Sequence, residues 1–144
     1  MKFSVNPTTI RRSDRMTDEI IGVIKLEHSN TSPDLTVYRL LTDRLDPIND
    51  HIIIYKVIDD EGKFYLTDDG YTLNELKRHG IKIEIGGETV DRIDDLLRDH
   101  YTYRSYRGLW EYTLYTDFCS EDDLGDEVTR FLDAIDAIYK EFLG

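Results

Sequence analysis

The sequence predicts an α+β domain in which a mainly antiparallel sheet carries its helices packed on one face. Three observations lead there. The run His51–Ile58 (H-I-I-I-Y-K-V-I) is β-branched and aromatic, and after the turn D-D-E-G the chain returns as K-F-Y-L-T. So short a connection makes an antiparallel hairpin and leaves no room for a crossover helix. Three later segments, opening at Thr72, Thr89 and Asp122, carry apolar residues at helical spacing. A length of 144 residues with no linker, repeat or low-complexity tract fits one domain, 1–144, around one core.

Taken in order, K-F-S-V near the N-terminus reads as a short strand followed by a loop, with Arg11, Arg12 and Arg15 on a solvated edge. Thr17–Leu26 opens on a capping threonine and places Ile20, Ile21 and Ile24 on one stripe, which predicts a helix despite Gly22. His28–Asp34 is loop-like, and Leu35–Leu41 is a strand by its Val, Tyr and Thr content. T-D-R-L-D-P-I-N-D then reads as a loop before the His51–Ile58 strand, whose unbroken apolar character predicts burial on both faces. Asp59–Gly62 is turn chemistry, Lys63–Thr67 the returning strand, and Asp68-Asp69-Gly70 its end.

Thr72 with Glu75 three residues on forms a capping-box pattern for a helix that stops at Gly80. I-K-I-E-I, residues 81–85, alternates perfectly and predicts a half-exposed strand ending at Gly86-Gly87. Thr89–His100 is an amphipathic helix presenting Val90, Ile93, Leu96 and Leu97. Leu109–Thr116 alternates Trp110, Tyr112 and Leu114 against Glu111, Thr113 and Tyr115, a strand. The final helix, from Asp122, has the clearest stripe in the chain: Leu124, Val128, Phe131, Leu132, Ile135, Ile138, Tyr139 and Phe142.

T-D-R-L-D-P-I-N-D-H-I-I-I-Y and F-Y-L-T-D-D-G-Y-T-L-N-E-L resemble the motifs of a family known as domain of unknown function 1828. The first motif departs from the family's usual opening at Asp43, where proline is common, and L-D-A-I-D-A-I-Y is similar to the family's last helix. The resemblance implies a fold and a bacteriophage or mobile-element context. It implies no mechanism.

A formal charge of −12 opposes direct nucleic-acid binding, which needs clustered Lys and Arg, and favours a basic partner, a metal or plain solubility. Cys119 is the single cysteine, so no intrachain disulfide forms, and no segment approaches the length of a membrane helix. The expected compartment is the cytoplasm of a bacterial cell.

Two acidic groups are candidate sites. Asp46, Asp50, Asp68 and Asp69 flank the hairpin strands at one open end, where converging carboxylates suit Mg²⁺ and a metal-dependent nuclease or phosphoryl-transfer reaction. The competing reading is that such acids cap turns. Asp50 with Glu61-Gly62-Lys63 also mimics a nuclease pattern, but a tight turn points Glu61 and Lys63 away from Asp50. The second group is Asp122, Asp123, Asp126, Glu127, Asp133 and Asp136. From Asp117 onward nine acids against two bases leave −7 of the chain's −12. Carboxylates spaced along a helix can imitate a phosphate backbone, and the competing reading is an ordinary solvated face. The expectation is a cofactor-free, non-enzymatic inhibitor of a basic host protein, such as a defence nuclease, of the anti-CRISPR or anti-restriction type. The four histidines lack metal-ligand spacing, and Cys119 lacks any nucleophile motif. Arg98, Arg104 and Arg107 among Tyr101, Tyr103 and Tyr106 read as a half-buried aromatic strand whose arginines pair with nearby acids, in preference to a nucleic-acid stacking surface.

Overall fold

The computed structural model describes residues 3–4, 18–26, 35–105 and 113–144. Seven strands form one antiparallel sheet: β1 (Phe3–Ser4), β2 (Ile20–Lys25), β3 (Thr36–Leu45), β4 (His51–Ile58), β5 (Phe64–Thr67), β6 (Thr102–Arg104) and β7 (Leu114–Thr116). Their spatial order is β1-β2-β3-β4-β5-β7-β6. Among the described residues there are three helices, α1 (Tyr71–Arg78), α2 (Glu88–Asp99) and α3 (Leu124–Leu143), the last preceded by a 3-10 turn at Glu121–Asp123. This is the α+β architecture expected, with the β4–β5 hairpin in register from Tyr55↔Thr67 to Ile58↔Phe64.

The sheet has two different faces. Leu40, Ile52, Ile54, Phe64, Leu66 and Leu114 point to one side and join helix residues such as Leu73, Leu76, Ile93, Leu97, Phe131, Ile135 and Ile138 in a single core. Each such side chain taken out of water contributes about 1.5–3 kcal/mol. The opposite face is half-buried and holds Leu41, Ile53, Tyr55, Tyr65, Thr67 and Tyr115. Arg39, Tyr55, Thr67, Tyr115 and Tyr103 form one cross-strand row there. β4 is therefore buried along Ile52, Ile54 and Lys56 on one face, while on the other Val57 is buried and Ile53 and Tyr55 are half-buried, where burial on both faces throughout was expected.

Three further expectations are corrected. Of the residues predicted as a helix over Thr17–Leu26, Ile20–Lys25 form strand β2 instead and Thr17 lies outside the described residues. Ile20, Ile21, Val23 and Ile24 are β-branched and suit a pleated sheet, whereas Gly22 costs about 1 kcal/mol in a helix. The register shift between Ile20 and Gly22 lets both Ile20 and Val23 pack against the core despite their odd separation. β3 runs on through Leu45 and takes up the first part of the segment expected as a loop, leaving residues 46–50 as the turn, with Leu45 pairing His51 after an irregularity. Residues 81–84 form no strand. Ile83 is buried, Ile85 is 70% exposed, and Lys82 meets Glu84 at 3.4 Å.

Helix α1 ends as expected. Gly80 sits at φ 86°, its N–H bonds Lys77 O at 3.0 Å, and the Ile81 N–H bonds Leu76 O at 3.0 Å. That is the paired-bond stop that only a residue tolerant of positive φ makes cheaply. The strand expected at Leu109–Thr116 is seen at Leu114–Thr116, and its first part lies outside the described residues. The cluster Arg11, Arg12 and Arg15 also lies outside them.

Candidate functional site

The end of the sheet where β3 turns into β4 and β5 turns into α1 collects the first group of acids. Asp46 is buried there. Its Oδ1 accepts the N–H groups of Ile48 and Asp50, both at 3.0 Å, and its Oδ2 accepts the Tyr71 hydroxyl at 3.1 Å. Its own N–H bonds Asp50 O at 2.8 Å, closing the turn around Pro47 with Asn49 at φ 65°. Short polar side chains tolerate that backbone. Burial and then the Asp46 charge push the Tyr71 hydroxyl up to about 12.

Asp68 is the more deeply buried acid. Its Oδ1 accepts from Gly70 N at 2.9 Å and Leu114 N at 3.0 Å, and its Oδ2 from Thr72 N at 2.9 Å. The α1 N-terminus is thus capped by Asp68, two residues before the N-cap Gly70, where the backbone turns at φ 84°. The Thr72–Glu75 capping box does not form, because Thr72 lies inside the helix and its N–H is one of the donors Asp68 satisfies. Glu75 is buried against Arg78 (3.3 Å) and His79 (3.6 Å). Burial pushes the Asp68 carboxyl above the usual carboxylate range, against its hydrogen bonds, which pull it down.

The four expected carboxylates do meet at one end of the sheet, but in two roles. Asp46 and Asp68 organise backbone, and the oxygens a hard cation would take are already accepting amide or hydroxyl hydrogens. Asp50 and Asp69 are exposed. Among the described residues no group of three or more His, Cys, Asp or Glu side chains is disposed to hold a metal. Glu61 and Lys63 sit on the exposed turn at the far end of β4 from Asp50. His51, His79 and His100 each place Nδ1 against a backbone carbonyl, at 2.8, 2.9 and 2.8 Å.

A cavity of about 520 Å³ opens beside these turns. Its floor is the sheet face opposite the described helices, at Leu41, Ile53 and Tyr55. It is lined further by Asp50 and His51 at the start of β4 and by Asp68, Asp69, Gly70, Tyr71 and Asn74 from the turn into α1. The cavity went unread in the sequence because β4 was taken as covered on both sides. Nothing in the run Ile52-Ile53-Ile54-Tyr55 separates the two faces, because both present apolar side chains.

The second acidic group is divided by the structure. Asp122, Asp123 and Asp126 are exposed. Glu127 is buried and bonds Arg130 at 2.6 Å. Asp133 and Asp136 both reach Arg44 Nη1 at 2.7 Å, and Glu19 meets Nη2 at 2.6 Å. Burial opposes the Arg44 charge, but the three carboxylates outweigh it and raise its pKa. Arg44 therefore ties β3 to α3, a role its sequence position among acids did not declare. Lys56 likewise lies buried, over the Phe64 ring at 5.3 Å and bonded to Glu121 at 2.7 Å. Arg104 forks onto Asp94 at 2.9 and 3.1 Å, and Arg98 meets Asp95 at 2.7 Å. These two arginines pair with local acids as expected, while Tyr106 and Arg107 lie outside the described residues.

No helix among the described residues is long and apolar enough to cross a membrane. A family model described as domain of unknown function DUF1828 matches residues 42–138, more than half of the chain. No curated protein and no solved structure matches it.

Proposed function

The chain belongs to the family of the domain of unknown function DUF1828, and from that premise we propose that it is a non-enzymatic binding protein for a basic partner. The reading takes it as an accessory factor of a phage or mobile element, working in the bacterial cytoplasm. Its target is a basic, nucleic-acid-binding host protein such as a defence nuclease. The observation that carries this is the exposed set Asp122, Asp123 and Asp126, which enters no ion pair among the described residues, while Arg44, Lys56, Arg92, Arg104 and Arg130 are each engaged by acids of the same chain. Carboxylates left in water at the start of α3 can pair with the Arg and Lys that otherwise hold phosphates, and so occlude a nucleic-acid channel.

The division of the α3 acids decides how to test it. Asp133 and Asp136 hold Arg44, so reversing them would disturb the fold. Asp122→Lys, Asp123→Lys and Asp126→Lys change only solvent-facing positions. Bacterial lysate is passed over the immobilised protein and the triple variant at low and high salt. Retention of a nucleic-acid-binding protein by the wild type, released by salt and lost in the variant, is the expected result. Identical capture by both proteins overturns the assignment to this surface.

A further inference from the structure

We infer that the cavity on the sheet face opposite the described helices is a seat for an arginine side chain of a partner polypeptide. This inference rests on the basic-partner reading above and names a second, separate place where that partner is held.

Three properties of the cavity point to a guanidinium. Its charge is one-sided: the exposed Asp50 and Asp69 both line it, and no Lys or Arg is among its described lining residues. Its floor is apolar and aromatic, with Leu41, Ile53 and Tyr55 presented by β3 and β4. A planar, weakly hydrated cation stacks on such a floor, whereas a strongly hydrated ammonium gains less. Its carboxylates are acceptors, while Tyr71 and Asn74 add polar groups that can also donate. His51 Nδ1 lies 2.8 Å from the Thr42 carbonyl and must donate to it, which leaves Nε2 as the neutral ring's acceptor. Five N–H donors in a fork can use two separate carboxylates, where a spherical cation would need a tighter shell.

The volume is ample for such a side chain. At about 520 Å³ the cavity lies within the range of built ligand sites, roughly 300–1,000 Å³. Its walls are also rigid. Asp46 and Asp68 lock the two turns that carry Asp50 and Asp69, so the rim carboxylates are positioned before any partner arrives.

The test is a titration of the isotopically labelled protein with a short peptide containing one arginine, followed through backbone amide shifts. Matched peptides carry lysine or citrulline in its place. The arginine peptide should give saturable shifts at Ile53, Tyr55, Asp69 and Asn74, with at least a several-fold weaker response to lysine and none to citrulline. Asp50→Asn with Asp69→Asn should weaken the arginine response about tenfold or more. Both sites are exposed, and asparagine tolerates the φ of 56° at Asp69, so the variant keeps its fold. Equal shifts from citrulline, or shifts confined to Asp122–Asp126, overturn the inference. Salt-sensitive capture of a basic protein without cavity shifts refutes the arginine seat and leaves the α3 surface standing. Loss of both refutes the two together.

Discussion

The buried carboxylate of Asp68 accepts the backbone N–H of Leu114 at 3.0 Å, joining the α1 cap to the first residue of β7. One side chain thereby fixes the start of a helix and the placing of a strand 46 positions away. Asp68→Asn puts an NH₂ group against amide N–H donors. It should lower stability by about 2–4 kcal/mol, since a buried donor is left unsatisfied and charged hydrogen bonds are lost. Urea unfolding checks this by the fall in midpoint. An unchanged midpoint contradicts the capping role.

Arg44 gathers Glu19, Asp133 and Asp136 around one guanidinium. Arg44→Met leaves three carboxylates facing one another without a cation. The expected cost is about 1–3 kcal/mol, because breaking a partly buried network costs more than losing a surface pair. The loss should be larger at low ionic strength, where repulsion is least screened. Arg44→Lys should recover only part of it, for lysine lacks the fork. Thermal melts at two salt concentrations read both effects.

Gly80 ends α1 at φ 86°, with open space where a side chain would stand. Gly80→Ala therefore meets no clash and pays only the backbone penalty, about 1 kcal/mol, with Gly80→Asn costing less. Chemical denaturation of the two variants should show that order.

The elements read correctly are those whose local pattern and tertiary surroundings agree. The β4–β5 hairpin, the Gly80 stop, α2 and α3 all carry their own period and punctuation. The errors lie where a period had two solutions or needed a neighbour. Ile20 and Ile24 share a face in a helix and also in a strand, and pairing with β3 decided between them. I-K-I-E-I alternates, but alternation makes a strand only where a partner strand offers its hydrogen bonds, and here the segment is a connection. The capping box at Thr72 was outcompeted by Asp68, a nearer acceptor already held in a buried turn. The convergence of Asp46, Asp50, Asp68 and Asp69 on one end of the sheet was legible from hairpin geometry. Their division into structural and exposed pairs was not, since spacing does not say which carboxylate the turn amides will claim.

Burial, with the Glu127 charge behind it, pushes the Cys119 thiol up to about 12. At pH 8 the thiolate, which is the nucleophile, is then scarce. Alkylation by iodoacetamide should run at least about a hundredfold slower than for the unfolded chain, whose cysteine titrates near 8.5. The linkage has a definite sign. The folded pKa is raised, so this group's contribution to stability is fully present below about pH 8.5 and is lost as the pH rises toward 12. Cys119→Ala should flatten that alkaline decline. Alkylation at the unfolded rate in native buffer contradicts the placement of the thiol.

Charge-driven engagement of a basic partner is most directly tested by the association rate of the captured partner, measured across ionic strength. Steering by carboxylates predicts fast association at low salt, a steep fall between about 50 and 500 mM, and competition by duplex DNA for the same partner. The Asp122→Lys, Asp123→Lys, Asp126→Lys variant should show a slower rate at every salt concentration. A rate indifferent to salt, unchanged in the variant and unaffected by DNA contradicts the account.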